Sequence, residues 1–289
     1  MTQRSWGRMM RTLSVHLLTE HVRDKVIEAN TVMTHDIRVA LAAGRQREQS
    51  TMARGVISDL LDNADVAQAE RIPMCQDTGM VVVFVTFGQD VHWVDGSVEE
   101  AINEGVRQGY RDGFLRMSVV GHPLRRQNTR DNTPAIVHYR LVPGDQVHVD
   151  VLPKGFGAEN RSRIAMLKPA DGQVGVERFI LETVRVAGPQ ACPPFIVGVG
   201  IGGDFERVAE LAKEALLMPV DEPNPDPILA DMEDRLSTQI RELGIGPQGF
   251  GGETTMLSLH VKASATHIAA LPVAVNMSCH STRHVSFDL

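Results

Sequence analysis

The chain has 289 residues, of which 43% are hydrophobic, and a formal net charge of -7 at pH 7. This composition allows a substantial core in one large domain or two small ones, and it excludes a disordered or fibrous protein. The negative charge argues against nucleic acid as a partner, because phosphate binding needs a basic surface. No apolar run approaches the roughly 18 residues of a membrane span, and the basic start MTQRSWGRMMRTL lacks an apolar signal core. We therefore expect a soluble, cytoplasmic protein with no membrane partner.

Helices and strands are predicted from the spacing of apolar residues and from turn signals. The N-terminal part, residues 10–72, is predicted to be helical, and residues 73–289 are predicted to alternate between strands and helices. In chain order we predict helices at 13–43 and 51–70, a strand at 81–87, a helix at 97–116 opened by a capping box, a loop at 121–134, strands at 135–142 and 147–152, a loop at 154–163, a helix at 174–187, a strand at 195–203, helices at 204–218 and 227–243, and strands at 254–263 and 271–279.

Two strands in the middle of the chain have a distinctive pattern. Residues 135–142 and 147–152 alternate in polarity about the turn Pro143-Gly144-Asp145, which is typical of an antiparallel hairpin. The sequence has no visible internal repeat. We predict a single mixed α/β domain over residues 1–289, with a largely antiparallel sheet, flanking helices and a helical N-terminal region.

Three cysteines, Cys75, Cys192 and Cys279, stand at predicted turns or strand ends. An odd, sparse set predicts no disulfide framework, and its spacing fits neither a zinc finger nor a ferredoxin. Three unrelated buried thiols are one interpretation, because free cysteine packs as a small hydrophobe. The other is a site, because three thiolates can hold a cubane iron–sulfur cluster whose fourth iron acts as a Lewis acid. Such an iron suits hydration or dehydration of a small hydroxy acid.

Three glycines match a nucleotide-binding pattern. Gly198, Gly200 and Gly203 satisfy G-x-G-x-x-G between a predicted strand and helix. The acidic residue expected about 20 positions later would be Asp221 or Glu222, which lie in a Pro-rich connector and not at a strand end. Close packing of the backbone against the helix is the alternative explanation for these glycines.

Five sequence blocks occur in the order PMCQDTG, KGFGAENRSR, ACPPF, LGIGPQGFGG and SCHSTRH. They resemble the α subunit, or N-terminal domain, of class I fumarate hydratases, which are iron–sulfur hydro-lyases grouped with L(+)-tartrate dehydratase. The resemblance runs from about residue 10 to the end of the chain. It implies a [4Fe-4S] cluster held by Cys75, Cys192 and Cys279, with one iron not ligated by protein.

The resemblance also implies roles for polar residues around the cluster. Gln76 and Arg116 would bind the carboxylates of a small dicarboxylate substrate, and Asp77 would act as an acid-base or orienting group. His267 precedes Cys279 by 12 residues and would line the pocket as a second catalytic group.

The resemblance also concerns a glycine loop and a second domain that single-chain members of the family have. Backbone N–H groups of Gly155 and Gly157 would face a substrate oxygen at a place where a side chain would obstruct its approach. Single-chain members usually have glycine where Phe156 stands, and they continue into a domain that supplies more basic residues and the proposed base. This chain stops ten residues after Cys279. We therefore expect a separate β subunit to complete the site, in an α2β2 assembly.

Three functions are consistent with these features. The first is reversible hydration of fumarate to L-malate, a reaction of the tricarboxylic acid cycle. The second is dehydration of L(+)-tartrate, although the loop KGFGAENRSR and the ending CHSTRH favour fumarate. The third is a metal- or oxygen-sensing module that binds an iron–sulfur cluster or zinc. A sensor has no need for Gln76, Asp77 and Arg116 around its metal, which argues against this third function.

Overall fold

The computed structural model describes residues 10–289, and the basic stretch at residues 1–9 lies outside the described residues. The α-helices are α1 Val15–Thr31, α2 His35–Arg47, α3 Thr51–Glu70, α4 Val98–Asp112, α5 Phe156–Glu159, α6 Gly172–Ala187, α7 Phe205–Ala215 and α8 Pro227–Glu242. The strands are β1 Arg11–Ser14, β2 Met80–Gly88, β3 Val91–Val94, β4 Ile136–Val142, β5 Val147–Lys154, β6 Arg163–Leu167, β7 Phe195–Gly203, β8 Met256–Thr266, β9 Leu271–Ser278 and β10 Val285–Asp288. The predicted mixed α/β class is confirmed. No helix within the described range combines the length and apolar character that crossing a bilayer requires.

The described residues divide into two compact units. Unit 1 takes its residues from Met1–Val32, Arg71–Lys154 and Arg283–Leu289, and unit 2 takes its residues from Met33–Glu70 and Gly155–Thr282. Each unit has a hydrophobic core of its own, built on a four-stranded sheet.

The sheet of unit 1 has the strand order β10-β5-β2-β4. Its central strand, β2, runs antiparallel to β5 and parallel to β4. Val81, Val83 and Val85 alternate along β2 and cluster with apolar side chains of α1 and α4. One face of β2 therefore packs under helices, and Val82 and Phe84 on its other face are buried as well. β1 and β3 form a separate parallel pair.

The predicted hairpin is wrong, because β4 and β5 do not pair with each other. β2 lies between them, and their connection crosses the end of β2. The backbone N–H of Gly88 donates to the carbonyl of Gln146 at 2.8 Å, and Asp90 donates to the carbonyl of Gly144 at 2.9 Å. A Cβ atom added at Gly88 would overlap the backbone of Gly144, so glycine permits the crossing. Alternating polarity predicts a strand but does not identify its neighbour.

The sheet of unit 2 has the strand order β6-β9-β7-β8, with β7 parallel to β8 and antiparallel to β9. Val197 and Val199 cluster with apolar residues of α6 and α8. Gly198 and Gly200 alternate with them, and a Cβ atom added at Gly200 would overlap the carbonyl oxygen of Val208 in α7. The backbone of α7 therefore packs directly on β7. Close packing accounts for the glycines that match the nucleotide-binding pattern.

The two sheets share one strand order and the same strand directions, although the sequence has no visible repeat and their edge strands come at different points of the chain. In each, a central strand (β2 or β7) is followed by helix and then by a parallel neighbour (β4 or β8). The chain then returns on the other side of the central strand as an antiparallel neighbour (β5 or β9), which an antiparallel edge strand (β10 or β6) completes. The two units therefore repeat strand order and strand direction but not the residues that face their helices.

Some element boundaries also differ from the prediction. The predicted helical character of residues 13–43 is confirmed, but β1 precedes the helical part and two helices, α1 and α2, divide it. The hydroxyl of Thr31 donates to the carbonyl of Ile27 at 2.9 Å, and Val32 is extended with φ -122 and ψ 122. Side-chain bonds of this kind compete with the helical ladder. The short strands β1, β3, β6 and β10 were not predicted, and pairing with a neighbouring strand defines them.

Candidate functional site

The segment at residues 73–79 leads into β2 and carries the first cysteine. The backbone N–H of Met74 donates to the carbonyl of Asn30 at 2.9 Å, which ties the segment to α1. The hydroxyl of Thr78 donates to the carbonyl of Arg116 at 2.9 Å, which ties it to the residues after α4. The structure thus brings Arg116 beside the segment that holds Gln76 and Asp77, within unit 1.

Two buried side chains hold the end of this segment. Tyr110, on α4, is fully buried, and its hydroxyl lies 2.7 Å from the carbonyl oxygen of Thr78 and 3.0 Å from that of Gly79. Burial raises the pKa of Tyr110, so the phenol stays protonated and donates. The side-chain amide of Asn132 donates to the carbonyl of Gly79 at 3.1 Å. The Asp77 carboxylate accepts the N–H of Gly79 at 3.0 Å and closes an Asx turn.

Arg283 is a buried residue of unit 1 that sequence reasoning missed. Its side chain is 3% exposed, and Nη1 donates to the carbonyl of Asp77 at 2.8 Å and to Oδ1 of Asn30 at 3.0 Å. Its signal in the sequence is an arginine inside the block SCHSTRH.

Cys192 and Cys279 lie at the same end of the unit 2 sheet. Cys192 precedes β7, Cys279 follows β9, and these two strands are antiparallel with Ile196 opposite Ser278. The backbone N–H of His280 donates to the carbonyl of Cys192 at 3.1 Å, so the two cysteine-bearing segments are directly hydrogen-bonded.

Gln248, from the block LGIGPQGFGG, braces this pair of segments. Its backbone N–H and its side-chain Nε2 both lie 2.7 Å from the carbonyl oxygen of Pro193, and Nε2 lies 3.0 Å from Nδ1 of His280. The surrounding backbone turns tightly at glycines, and a Cβ atom added at Gly246, which has φ +68, would overlap Gly251. The glycine block therefore has a structural role within unit 2.

All three cysteines are partly buried, and none is disulfide-bonded within the described residues. Within residues 10–289, no three or more His, Cys, Asp or Glu side chains form a group that could hold a metal ion. The donor set nevertheless fits an iron–sulfur group, because soft thiolate ligands select iron–sulfur clusters, and each cysteine lies outside regular secondary structure, shortly before β2, shortly before β7 or directly after β9.

The glycine loop lies at the start of α5 in unit 2. Gly155 is the N-cap of this four-residue helix, so the predicted loop at 154–163 contains a helical turn. Among residues 10–289, a Cβ atom added at Gly157 would meet no atom within 4 Å apart from those of its chain neighbours and its own helix backbone. The proposed close approach at this glycine would therefore need a ligand or another chain. Glu159 fixes the turn, because its carboxylate accepts from Lys213 and, at 3.1 Å, from Asn276.

His267 is not brought to the cysteines of unit 2. It is exposed in the turn between β8 and β9, where its Nδ1 accepts the N–H of Ala269 at 3.2 Å. β9 runs from this turn to Cys279, so the turn lies at the opposite end of the sheet. The eight residues of β9 span about 27 Å at about 3.4 Å per residue.

Comparison with known proteins adds the family. A family model described as "Fumarate hydratase (Fumerase)" matches residues 19–288. The chain belongs to the fumarate hydratase family. The resemblance deduced from the five sequence blocks is confirmed, and membership of this family makes the chain a hydro-lyase-type protein.

Relatives of this fumarate hydratase family member carry the name of the related dehydratase. A protein of Methanocaldococcus jannaschii, provisionally named L(+)-tartrate dehydratase subunit alpha, is 35% identical over 262 residues, which cover 89% of this chain and 92% of the relative. The L(+)-tartrate dehydratase subunit alpha of Escherichia coli strain UTI89 is 31% identical over 274 residues, covering 93% of this chain and 90% of that protein. The protein of the same name from Escherichia coli strain K12 is 30% identical over 273 residues.

Proposed function

We propose that the chain is the catalytic α-type subunit of an iron–sulfur hydro-lyase that interconverts fumarate and L-malate. The observation that carries the proposal is the segment at 73–79, which presents Cys75, Gln76 and Asp77 in a row and is fixed by side chains of unit 1. Rigid support of this kind is what a catalytic constellation needs. We also propose a cytoplasmic location, because an odd, sparse set of three cysteines is typical of chains in reducing compartments.

Cys75, Cys192 and Cys279 would hold a [4Fe-4S] cluster with one iron not ligated by protein. When bound, such a cluster supplies a Lewis acid that polarises a substrate hydroxyl and carboxylate. The thiols suit this role because they are not disulfide-bonded within the described residues and lie near strand ends.

The polar residues of unit 1 would bind and orient the substrate. The Gln76 amide and the Arg116 guanidinium bind its carboxylates, because an amide donates hydrogen bonds and a guanidinium forms bidentate pairs with carboxylates. The bond from Gly79 fixes one oxygen of Asp77, which orients the carboxylate for proton transfer or for a substrate hydroxyl. Gly155 and Gly157 would present backbone N–H groups to a substrate oxygen.

A second candidate substrate is L(+)-tartrate. The names of the relatives favour it, and the family description favours fumarate. The two substrates differ in a second hydroxyl group, which a site must hydrogen-bond or exclude. Assays of the assembled enzyme on L-malate, fumarate and L(+)-tartrate separate the candidates. A preference for tartrate in kcat/KM would replace fumarate in our proposal.

We propose a β subunit as the partner that completes the site, in an α2β2 assembly. Support comes from the relatives, which are named as alpha subunits. The chain alone should then bind iron and sulfide after anaerobic reconstitution but show no turnover. Copurification with a second chain that restores turnover would support the proposal, and full activity of the isolated chain would contradict it.

His267 keeps its proposed catalytic role only in a site on another copy of the chain, because it lies at the far end of the unit 2 sheet from Cys279. Mixing a His267→Ala chain with a Cys279→Ser chain tests this arrangement. Partial recovery of turnover in the mixed assembly is expected, and no recovery would remove His267 from the proposed site.

The principal test combines cofactor content with turnover. We expect Cys75→Ser, Cys192→Ser and Cys279→Ser each to lose iron, sulfide and turnover. Asp77→Asn should keep wild-type iron and sulfide but lose turnover in the presence of the β subunit. Normal turnover in Asp77→Asn would remove Asp77 from the proposed catalytic role. A wild-type complex that keeps iron and sulfide but shows no turnover would favour the sensing module, and a chain that binds no iron or sulfide at all would contradict the proposed cofactor.

A further inference from the structure

Arg283 is a buried cation directly behind the first cysteine segment. Its side chain is 3% exposed, and its hydrogen bonds go to the neutral oxygens of Asn30 and Asp77. Its Nε is buried and has no hydrogen-bond partner among residues 10–289. Burying a guanidinium costs several kcal/mol unless other groups compensate it. A neutral side chain could hold the same two oxygens at lower cost, so stability alone does not explain an arginine here.

Arg283 holds the first of three successive carbonyls. It donates to the carbonyl of Asp77, Tyr110 lies within hydrogen-bond distance of the carbonyl of Thr78, and Asn132 donates to that of Gly79. Each of these three peptide groups is therefore fixed by a different buried side chain. Tyr110 and Asn132 fix the end of the segment beside β2, and Arg283 is the one that reaches back towards Cys75.

Asn30 connects the two ends of the span that contains Cys75 and Gln76. Its backbone carbonyl accepts the N–H of Met74 at 2.9 Å, and its side-chain oxygen accepts from Arg283 at 3.0 Å. Arg283 then donates to Asp77 at 2.8 Å. One chain of hydrogen bonds thus runs from residue 74 to residue 77 and clamps the span at both ends.

We propose that Arg283 is a positioning residue of the active site. By clamping the span from Met74 to Asp77, it holds the Cys75 thiol and the Asp77 carboxylate in place, and its positive charge favours the anionic groups that gather there. Arg283 does not contact the substrate. The catalytic consequence rests on the proposed function above, whereas the positioning of the segment does not.

The positioning is tested on the full chain without cofactor, by hydrogen exchange followed by mass spectrometry. Arg283→Gln should speed exchange in the peptide covering residues 73–79 by at least about tenfold, which is about 1.4 kcal/mol of lost local protection. Exchange in β10 should stay within about threefold of wild type. Arg283→Lys keeps a charged donor, so its exchange rate at residues 73–79 should lie between those of wild type and Arg283→Gln. Equal loss of protection in β10 and in residues 73–79 would mean that Arg283 only stabilises unit 1 in general. Unchanged exchange in both would mean that Arg283 does not hold residues 73–79 in place.

Arg11→Gln is the matched control. Arg11 also belongs to unit 1, and its Nη1 donates to a backbone carbonyl, that of Asp145, at 3.0 Å in an exposed position. Its loss should leave exchange at 73–79 unchanged. If Arg283→Gln does not fold, Asn30→Ala supplies the same test, because it removes the oxygen that links Arg283 to α1. Unchanged exchange at 73–79 in Asn30→Ala would contradict the clamp.

Turnover of the complex with its β subunit provides the second measurement. Groups that orient metal ligands or catalytic residues typically contribute 10–100-fold, so Arg283→Gln should lower kcat by about that factor, with little change in KM and unchanged iron and sulfide content. Arg283→Lys should recover part of the loss. A raised KM at unchanged kcat would mean that Arg283 binds substrate directly, which overturns positioning. If the wild-type complex shows no hydro-lyase activity, the proposed function fails while the exchange result still decides the clamp.

Discussion

The two units brace their cysteine-bearing turns differently on sheets of the same strand order. In unit 1, side chains from α4 and from distant loops hold three successive carbonyls ahead of β2. In unit 2, the turns before β7 and after β9 are joined by a backbone bond and by Gln248 from a glycine-rich loop. Cys75 and Cys192 correspond in position, because each lies shortly before the central strand of its unit. The same strand order can support a fixed turn either with buried polar side chains or with backbone packing.

The central strands differ in the same way. β2 presents Val83 and Val85 to its helices, whereas β7 presents Gly198 and Gly200 to the backbone of α7. Unit 1 therefore gains stability from side-chain burial, and unit 2 gains part of it from close approach of a helix to the sheet.

Among the substitutions that test this difference between the units, Gly200→Ala should cause the largest loss of stability. The added methyl group would overlap the carbonyl of Val208, so we expect a loss of about 3 kcal/mol in the free energy of unfolding, measured by urea titration of the full chain. Gly55→Ala is the control, because Gly55 lies in α3 and an added Cβ would have no other described atom within 4 Å beyond those of its chain neighbours and its own helix backbone. It should stabilise the chain by about 0.5–1 kcal/mol. Equal effects would mean that α7 does not pack on the backbone of β7.

Tyr110→Phe should give the second-largest loss of stability, about 2 kcal/mol in the free energy of unfolding. The substitution leaves the buried carbonyl of Thr78 without its donor, while Asn132 still serves Gly79. Tyr139→Phe is the matched control, because Tyr139 is 48% exposed. Hydrogen exchange should rise at residues 73–79 and not around β7. An effect spread evenly over both units would show that Tyr110 is not a local clamp.

Glu48→Gln tests the loop that carries Gln248, with an expected loss of about 1.5 kcal/mol at pH 7. Burial raises the pKa of Glu48, but backbone N–H groups of Thr254 and Glu253 outweigh it and leave the pKa below its ordinary 4.5. The stability that ionised Glu48 contributes is therefore present above pH 4.5 and is lost as pH falls through the lowered pKa. The difference between wild type and variant should shrink below that pH. A difference independent of pH would exclude the charge as its cause.

Gln248→Ala should have a smaller effect, about 1 kcal/mol, because the backbone N–H of Gln248 keeps its bond to Pro193 when the side chain is removed. Hydrogen exchange should rise around Cys192 and His280 and remain unchanged at 73–79. Increased exchange at 73–79 would contradict independent bracing of the two cysteine-bearing turns.

His148→Asn should give the smallest effect, in unit 1, where His148 lies 2.7 Å from Asp288 and 3.2 Å from Asp150. Partial burial lowers the pKa of His148, but the two carboxylates outweigh it and raise the pKa above 6.5. Its contribution is fully present below pH 6.5 and is lost as pH rises through the raised pKa. We expect less than about 1 kcal/mol, because solvent screens exposed pairs. Unfolding titrations at pH 6 and pH 9 check the direction, and a difference larger at pH 9 would contradict it.

Local signals in the sequence predicted the elements that depend on near neighbours. The apolar run before Phe87 predicted β2, and Gly244 correctly marks the end of α8, because these features depend on side-chain period and backbone freedom within a few residues. The cap at Ser97 is also confirmed, since its hydroxyl accepts the N–H of Glu100 at 3.4 Å. The helix it opens nevertheless ends at Asp112, before the predicted Arg116.

The sequence by itself determined the family, the mixed α/β class and the blocks that hold the three cysteines, because these depend on residue identity and local spacing. Only the tertiary structure decided that β2 separates β4 from β5, that His267 lies away from Cys279, and that Arg283 reaches Asp77 across 206 residues of chain. Each of these depends on which remote partner satisfies a backbone or buried polar group. Many remote residues could satisfy such a group, and only the folded chain selects one of them.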